Sequence, residues 1–211
     1  RQYIVSSAQR AATDDVGYSL VRAFRQQLLQ LQFAPLSAYL EQHGARSQDL
    51  KYPLEAPMWQ LLQHRRPDTL PPGFSDWPAL LLAAVLQSKT ELEQQYGSLA
   101  QSNWGALNES RILHPLASAI PLLGDWLNMP ATPMNGDRHM PRVQLPGFGQ
   151  SERMVVAPGQ EQLGILTIPA GQSGHPLSPF YRADHQYWLN EVALPFLPGE
   201  KKYQLLLTPQ G

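Results

Sequence analysis

Apolar side chains in the first part of the chain recur at the spacing of an α-helix. Val16, Leu20, Val21, Phe24, Leu28 and Leu31 lie three and four residues apart, so one helical face carries them all. Thr13, Asp14 and Asp15, just before them, offer a side-chain oxygen to the free amides and negative charge to the positive end of the dipole. The pattern predicts a helix to about Phe33, with Arg22, Arg25, Gln26, Gln30 and Gln32 on a solvated or subunit-facing side. A short helix is expected from Pro57 through Met58, Trp59, Leu61 and Leu62, closed by the basic turn His64-Arg65-Arg66-Pro67. After the break at Leu70-Pro71-Pro72-Gly73, Ser75-Asp76-Trp77-Pro78 starts a second long helix. In it Leu81, Val85, Leu92 and Tyr96 share a face as far as Gly97. Leu80, Leu82, Ala83, Ala84 and Leu86 make its first half apolar nearly all round, which predicts deep burial there and a wet second half over residues 89–95.

The periodicity then changes. His114-Pro115 begins another short helix, with His114 expected in the core, and residues 128–150 hold Pro130, Pro133, Gly136, Pro141, Pro146, Gly147 and Gly149, which argues for an irregular packed connection. Met154, Val155 and Val156 form one β-rich run and Leu163, Ile165, Leu166 and Ile168 another, joined by Pro158-Gly159-Gln160-Glu161-Gln162 in the manner of a hairpin. Both runs are nearly continuous, as in strands covered on both faces, and residues 203–208 have the same character. The chain therefore reads as α+β. A helical region spans 1–127, the irregular connection 128–150, and the hairpin, a Gly-Gln-Ser-Gly-His-Pro turn, a short helix and a final strand fill 151–211.

Composition narrows the function classes. A net charge of −1 and a pI near 6.7 leave no electrostatic footprint for nucleic acid or an anionic membrane surface. The longest apolar run, residues 79–86, falls well short of the roughly 20 residues that span a bilayer. With no cysteine in the sequence, disulfides, thiolate metal sites and cysteine nucleophiles are excluded.

The compact turn Gly171-Gln172-Ser173-Gly174-His175-Pro176 carries the most specific chemistry. It falls short of a G-x-S-x-G nucleophile elbow, because His175 stands where the last glycine belongs, and Pro176 and Pro179 exclude the helix that must follow the serine. The glycines are expected to be structural, at least one of them at positive φ, with Ser173 bonding locally. His175, Asp184 and His185, together with Asp137 and His139, have metal-ligand chemistry but no recognised ligand spacing.

Ser151-Glu152-Arg153-Met154-Val155, residues 171–181, Asp184, Trp188 and Pro195-Phe196 together resemble the C-terminal part of the large (beta) subunit in the penicillin amidase (penicillin acylase) family. The likeness extends back through Trp104-Gly105, His114-Pro115-Leu116 and residues 121–133, although relatives often carry asparagine at the position of His175. The resemblance implies an N-terminal-nucleophile (Ntn) amide hydrolase with an α-β-β-α sandwich. Its nucleophile would be the first residue of the large chain, exposed by self-cleavage and using its own α-amino group as base. This sequence aligns downstream of that residue, so the resemblance places no catalytic residue here and implies an inactive C-terminal segment of a periplasmic or secreted enzyme for small N-acyl amides. Gly171, Gln172, Ser173, Gly174 and His175 would be a structural turn near the site; the family's calcium would be held upstream, leaving no metal ligand or cofactor in this chain. Three strands are too few for two facing sheets, so the remainder of the parent enzyme or a second copy is the expected partner, with neither nucleic acid nor membrane involved. The residues alone also leave open a non-catalytic interaction or structural module.

Overall fold

The computed structural model describes residues 1–45 and 54–209. They form two compact units, Arg1–Leu107 and Asn108–Gly211. Helices and a few short antiparallel strands make up the chain, an α+β composition.

The first unit is helical: α1 (Gln2–Val5), α2 (Val16–Gln42), α3 (Glu55–His64), α4 (Trp77–Tyr96) and α5 (Trp104–Leu107), with 3-10 turns at Pro67–Thr69 and Leu99–Gln101. Both long helices start on the aspartates that the sequence offers. Asp15 accepts the Tyr18 amide at 2.9 Å, and Asp76 accepts the Ala79 amide at 2.8 Å. Gly97, at φ +81°, ends α4. The Asp15 carboxylate also accepts the Ser7 hydroxyl and the Ala8 amide, each at 2.8 Å, and so ties the preceding loop to α2.

Burial works to raise the Asp15 pKa, but hydrogen bonds from Tyr18, Ser7, Ala8 and Gly17 outweigh it and hold the carboxyl below its ordinary value. A depressed carboxylate contributes stability that is present above the unfolded pKa and lost as pH falls through the folded one. Asp15→Ala is therefore expected to cost about 1–2 kcal/mol at neutral pH. The deficit should shrink in urea titrations carried from pH 7 down through the range below 4; a deficit of constant size across that range would contradict this role.

The core of this unit is Leu28, Met58, Trp77, Leu80 and Ala84, with Phe24, Leu31, Leu61, Leu62 and Phe74 packed around it. Two expectations are corrected here. First, α2 does not stop near Phe33 but runs through Pro35 to Gln42. A proline removes one backbone bond and bends a helix, yet Leu36, Ala38, Leu40, Glu41 and Gln42 are good helix formers that carry it onward. Second, the first half of α4 is not buried all round. Trp77, Leu80, Ala84, Ser88 and Leu92 form the buried stripe, whereas Leu82 and Leu86 are 58% and 54% exposed and Val85 is exposed too. Within this unit the helix is covered along one face, so the other apolar residues stay in water. Apart from Leu92 the second half is largely wet as expected, with Lys89 and Glu93 paired at 2.6 Å.

The second unit contains α6 (Pro115–Ala119), α7 (Gly124–Leu127) and α8 (His185–Leu189), and three two-stranded antiparallel pairs. β1 (Glu109–Ser110) pairs with β2 (Thr132–Pro133), and β3 (Gln144–Leu145) with β4 (Phe148–Gly149). β5 (Arg153–Val155) pairs with β6 (Ile165–Thr167) in the register Arg153↔Thr167, Met154↔Leu166, Val155↔Ile165. The segment expected to be irregular thus carries three very short strands. His114 is not a core residue: it is the N-cap of α6, its Nδ1 accepting the Leu116 amide at 3.1 Å.

The hairpin lies where the sequence puts it, but its β5 side chains are not covered, with Met154 48% and Val155 60% exposed. Residues 203–208 form no strand; they are exposed throughout and make no backbone hydrogen bond within the described residues. A strand needs a partner ladder, and none reaches this segment.

Candidate functional site

The turn singled out by the sequence sits between β6 and α8. Its ends are joined by Asp184 N–H donating to Ala170 O at 3.1 Å and Ser173 N–H donating to Phe180 O at 3.3 Å. Inside it the polar side chains serve the backbone. Ser173 Oγ accepts the His175 amide at 3.1 Å, His175 Nδ1 accepts the Leu177 amide at 3.2 Å, and Ser178 Oγ accepts the Phe180 amide at 3.2 Å.

Positive φ is found at neither Gly171 nor Gly174, which overturns that expectation. Gly171 is required for a different reason. A Cβ there would overlap the Phe180 carbonyl oxygen and stand 2.9 Å from the Ala183 nitrogen, so only a glycine lets the two limbs of the loop close. Around Gly174 a Cβ would meet nothing within 4 Å.

Polar residues that carried no motif hold this loop in place. Tyr181 donates its hydroxyl to Leu127 O, and Arg182 Nη2 donates to Asp125 O, Trp126 O and Asn128 O at 2.8, 3.1 and 2.6 Å. Together they satisfy the carbonyls at the C-terminal end of α7. Arg142 does the same for α8, donating to Leu189 O at 2.7 Å while pairing with Glu191. Burial pushes the Arg142 guanidinium below its ordinary pKa, against the opposing pull of the Glu191 carboxylate. Asn108, fully buried, donates to Met134 O and Gly136 O at 3.0 Å each and anchors the start of the connection that follows β2.

His185 is buried against Trp188, ring centroids 6.1 Å apart and nearly parallel, with Nδ1 2.7 Å from Pro169 O. A carbonyl only accepts, so Nδ1 carries the proton. Trp188 Nε1–H in turn donates to Gln150 O at 3.0 Å. On this side of α8 a cleft of about 580 Å³ opens, walled by Ile112, Leu113, Phe148 and Trp188, with Arg111 and Gln144 among its polar lining. Its chemistry is that of an apolar recess.

The sequence candidates do not assemble into a reacting centre. Among the described residues no serine hydroxyl is hydrogen-bonded to a histidine ring; Ser173 and His175 meet only through a backbone amide. Nor does any group of three His, Cys, Asp or Glu side chains among them have the arrangement to hold a metal ion. Asp137 bonds the Arg138 amide at 2.6 Å, and His175 belongs to the turn. No helix among the described residues is long and apolar enough to cross a membrane.

Comparison with known proteins agrees with the motifs. Two curated acyl-homoserine lactone acylases named QuiP are similar to the chain. The one from Pseudomonas aeruginosa is 28% identical over 184 residues, covering 74% of this chain and 21% of that protein. The one from Pseudomonas syringae pv. syringae is 28% identical over 179 residues, covering 74% of this chain and 20% of that protein. The chain thus spans about a fifth of the length of these relatives. The penicillin amidase family profile matches residues 7–204, nearly the whole sequence, and the chain belongs to the penicillin amidase family of amide hydrolases.

Proposed function

We propose that this chain is the C-terminal segment of an N-acyl amide hydrolase whose N-terminal nucleophile lies in a part of the protein outside the 211 residues. The observation that carries this reading is the family match over residues 7–204 in a chain whose polar side chains, in the very turn that bears the family motif, are spent on holding backbone. In the parent enzyme the reaction is acyl transfer: the terminal hydroxyl attacks the amide carbonyl, its own amine takes the proton, the amine product leaves, and water then releases the acid from the acyl-enzyme. The part played here is architectural. The Gly171 to His175 turn, fixed to α7 through Tyr181 and Arg182 and followed by α8, is a structural turn near the site in this reading. The chain supplies no calcium ligand in this reading, the family's calcium being held upstream. Its partner is the remainder of the enzyme, in a periplasmic or secreted setting.

The test is hydrolytic activity on chromogenic N-acyl amides, penicillins and N-acyl homoserine lactones, the last chosen because both curated relatives are named for them. The full reading frame is expected to release the acid and the 211-residue chain to show nothing above a boiled control. Turnover by the isolated chain would overturn the placement of the nucleophile, and inertness of the full protein toward all three classes would favour a non-catalytic module.

A further inference from the structure

We propose that the helical unit binds a fatty carboxylate, one alkyl chain with an anionic head, in the cleft between α2 and α4. The cleft has a volume of about 440 Å³, within the range of small-molecule sites, and its apolar walls are Leu20, Val21 and Phe24 from α2, Val85 from α4, Ile4 from α1, and Leu99. Local packing fixes the wall that α1 supplies. Gly17 of α2 lets the Tyr3 carbonyl approach so closely that a Cβ there would stand 2.4 Å from its oxygen, and Asp15 holds the loop after α1 through the Ser7 hydroxyl and the Ala8 amide. The proposal goes beyond the hydrolase reading above and does not depend on it.

The chemistry of the cleft selects this ligand. Ser88, buried beside it, donates its hydroxyl to Ala84 O at 2.6 Å, which leaves Tyr3 as the one other hydroxyl among the side chains around it. A peptide or a sugar would bring amides or hydroxyls that such walls do not satisfy, whereas an alkyl chain brings none. The remaining side chains around the cleft are two cations, Arg1 and Lys89, and among the described residues no carboxylate joins them there. Both cations are exposed, so their apolar stems are free to lie along the walls while their charged heads stay in water, where a carboxylate head meets them. Lys89 pairs with Glu93 at 2.6 Å, but an exposed i,i+4 contact of this kind is weak enough for a second carboxylate to share the ammonium.

Calorimetric titration of the full parent protein with octanoate, decanoate and dodecanoate, each below its micellar concentration, tests this. Every two added methylenes are expected to tighten binding about 15-fold for as long as they find apolar wall to cover. Decanol, which has the chain without the charge, is expected to bind about 10-fold more weakly than decanoate, and Lys89→Gln to reduce that preference to about 3-fold. Val85→Asp, at a half-exposed position outside the core, is expected to weaken dodecanoate at least ~10-fold with the circular dichroism unchanged. Lys89→Gln, on an exposed side chain, checks the site without altering the apolar walls. Carboxylate binding that neither variant changes lies elsewhere in the parent and overturns the proposal. Affinities independent of chain length overturn it too, as does equal binding of decanol and decanoate. Binding by the 211-residue chain that the parent lacks would mean that other residues of the parent fill the cleft, and this also overturns it. None of these outcomes turns on whether the parent cleaves N-acyl amides.

Discussion

Trp77→Ala is expected to destabilise the helical unit by about 3–5 kcal/mol. Trp77 is 4% exposed and closes the core around Leu28, Met58, Leu80 and Ala84, while its indole N–H donates to Arg66 O at 3.0 Å. The change removes most of an aromatic side chain from a site between α4 and the turn that follows α3, where collapse of the surroundings would have to drag whole helices. It also leaves the Arg66 carbonyl without its partner. Trp77→Phe separates the two contributions, since it keeps most of the buried ring and loses the donor; about 1 kcal/mol of the total is expected from the hydrogen bond. Urea unfolding followed by far-UV circular dichroism measures both variants. A loss below about 1 kcal/mol for the alanine variant would mean that the core is held elsewhere.

Gly171→Ala is expected to cost about 3 kcal/mol, whereas Gly174→Ala, three residues on in the same turn, should be close to neutral. The difference comes from what surrounds each Cα. At Gly171 the obstacle is the Phe180 carbonyl with the Ala183 nitrogen behind it, and backbone can yield only by opening the loop that Ser173 N–H and Asp184 N–H hold shut. At Gly174 there is open space and a backbone conformation that an L-residue adopts without strain. Thermal unfolding of the pair gives the answer directly. Equal losses at the two positions would point back to a conformational requirement for glycine, and no loss at Gly171 would show that the loop breathes enough to admit a methyl group.

Tyr181 and Arg182 extend the same logic. Their donors converge on the carbonyls of residues 125–128, so the turn that bears the family motif is fastened to α7 rather than left as a surface loop. Chemistry in such a family needs groups held to within a fraction of an ångström, and charge-assisted bonds to backbone are one way to impose that on a segment without regular structure.

Local chemistry was legible in the sequence. Asp15 and Asp76 start α2 and α4 because a cap acts on amides two and three residues away, and Gly97 ends α4 for an equally local reason. The β5–β6 hairpin followed from two apolar runs and a short turn, and the motifs from residues 151 to 196 identified the family. Everything that depends on a partner distant along the chain required the tertiary structure. Of the expected stripe Leu81-Val85-Leu92-Tyr96 on α4 only Leu92 is buried, in the stripe Trp77-Leu80-Ala84-Ser88-Leu92, because both stripes are helical and only packing against the rest of the unit chooses between them. The apolar periodicity ended α2 too early, near Phe33, because it stops there while the helix formers beyond Pro35 carry the helix on to Gln42. Gly171 was rightly marked but for the wrong cause: a turn motif implies a backbone angle, whereas the clash with Phe180 appears only once the loop has closed on itself. Asn108, Arg142 and Arg182 left no trace in the sequence, because a polar side chain bonded to remote carbonyls looks the same there as one facing water. The segment 203–208 is the converse case, in which strand character written in the residues finds no ladder among the described residues, because propensity proposes a strand and only a neighbouring strand can complete it.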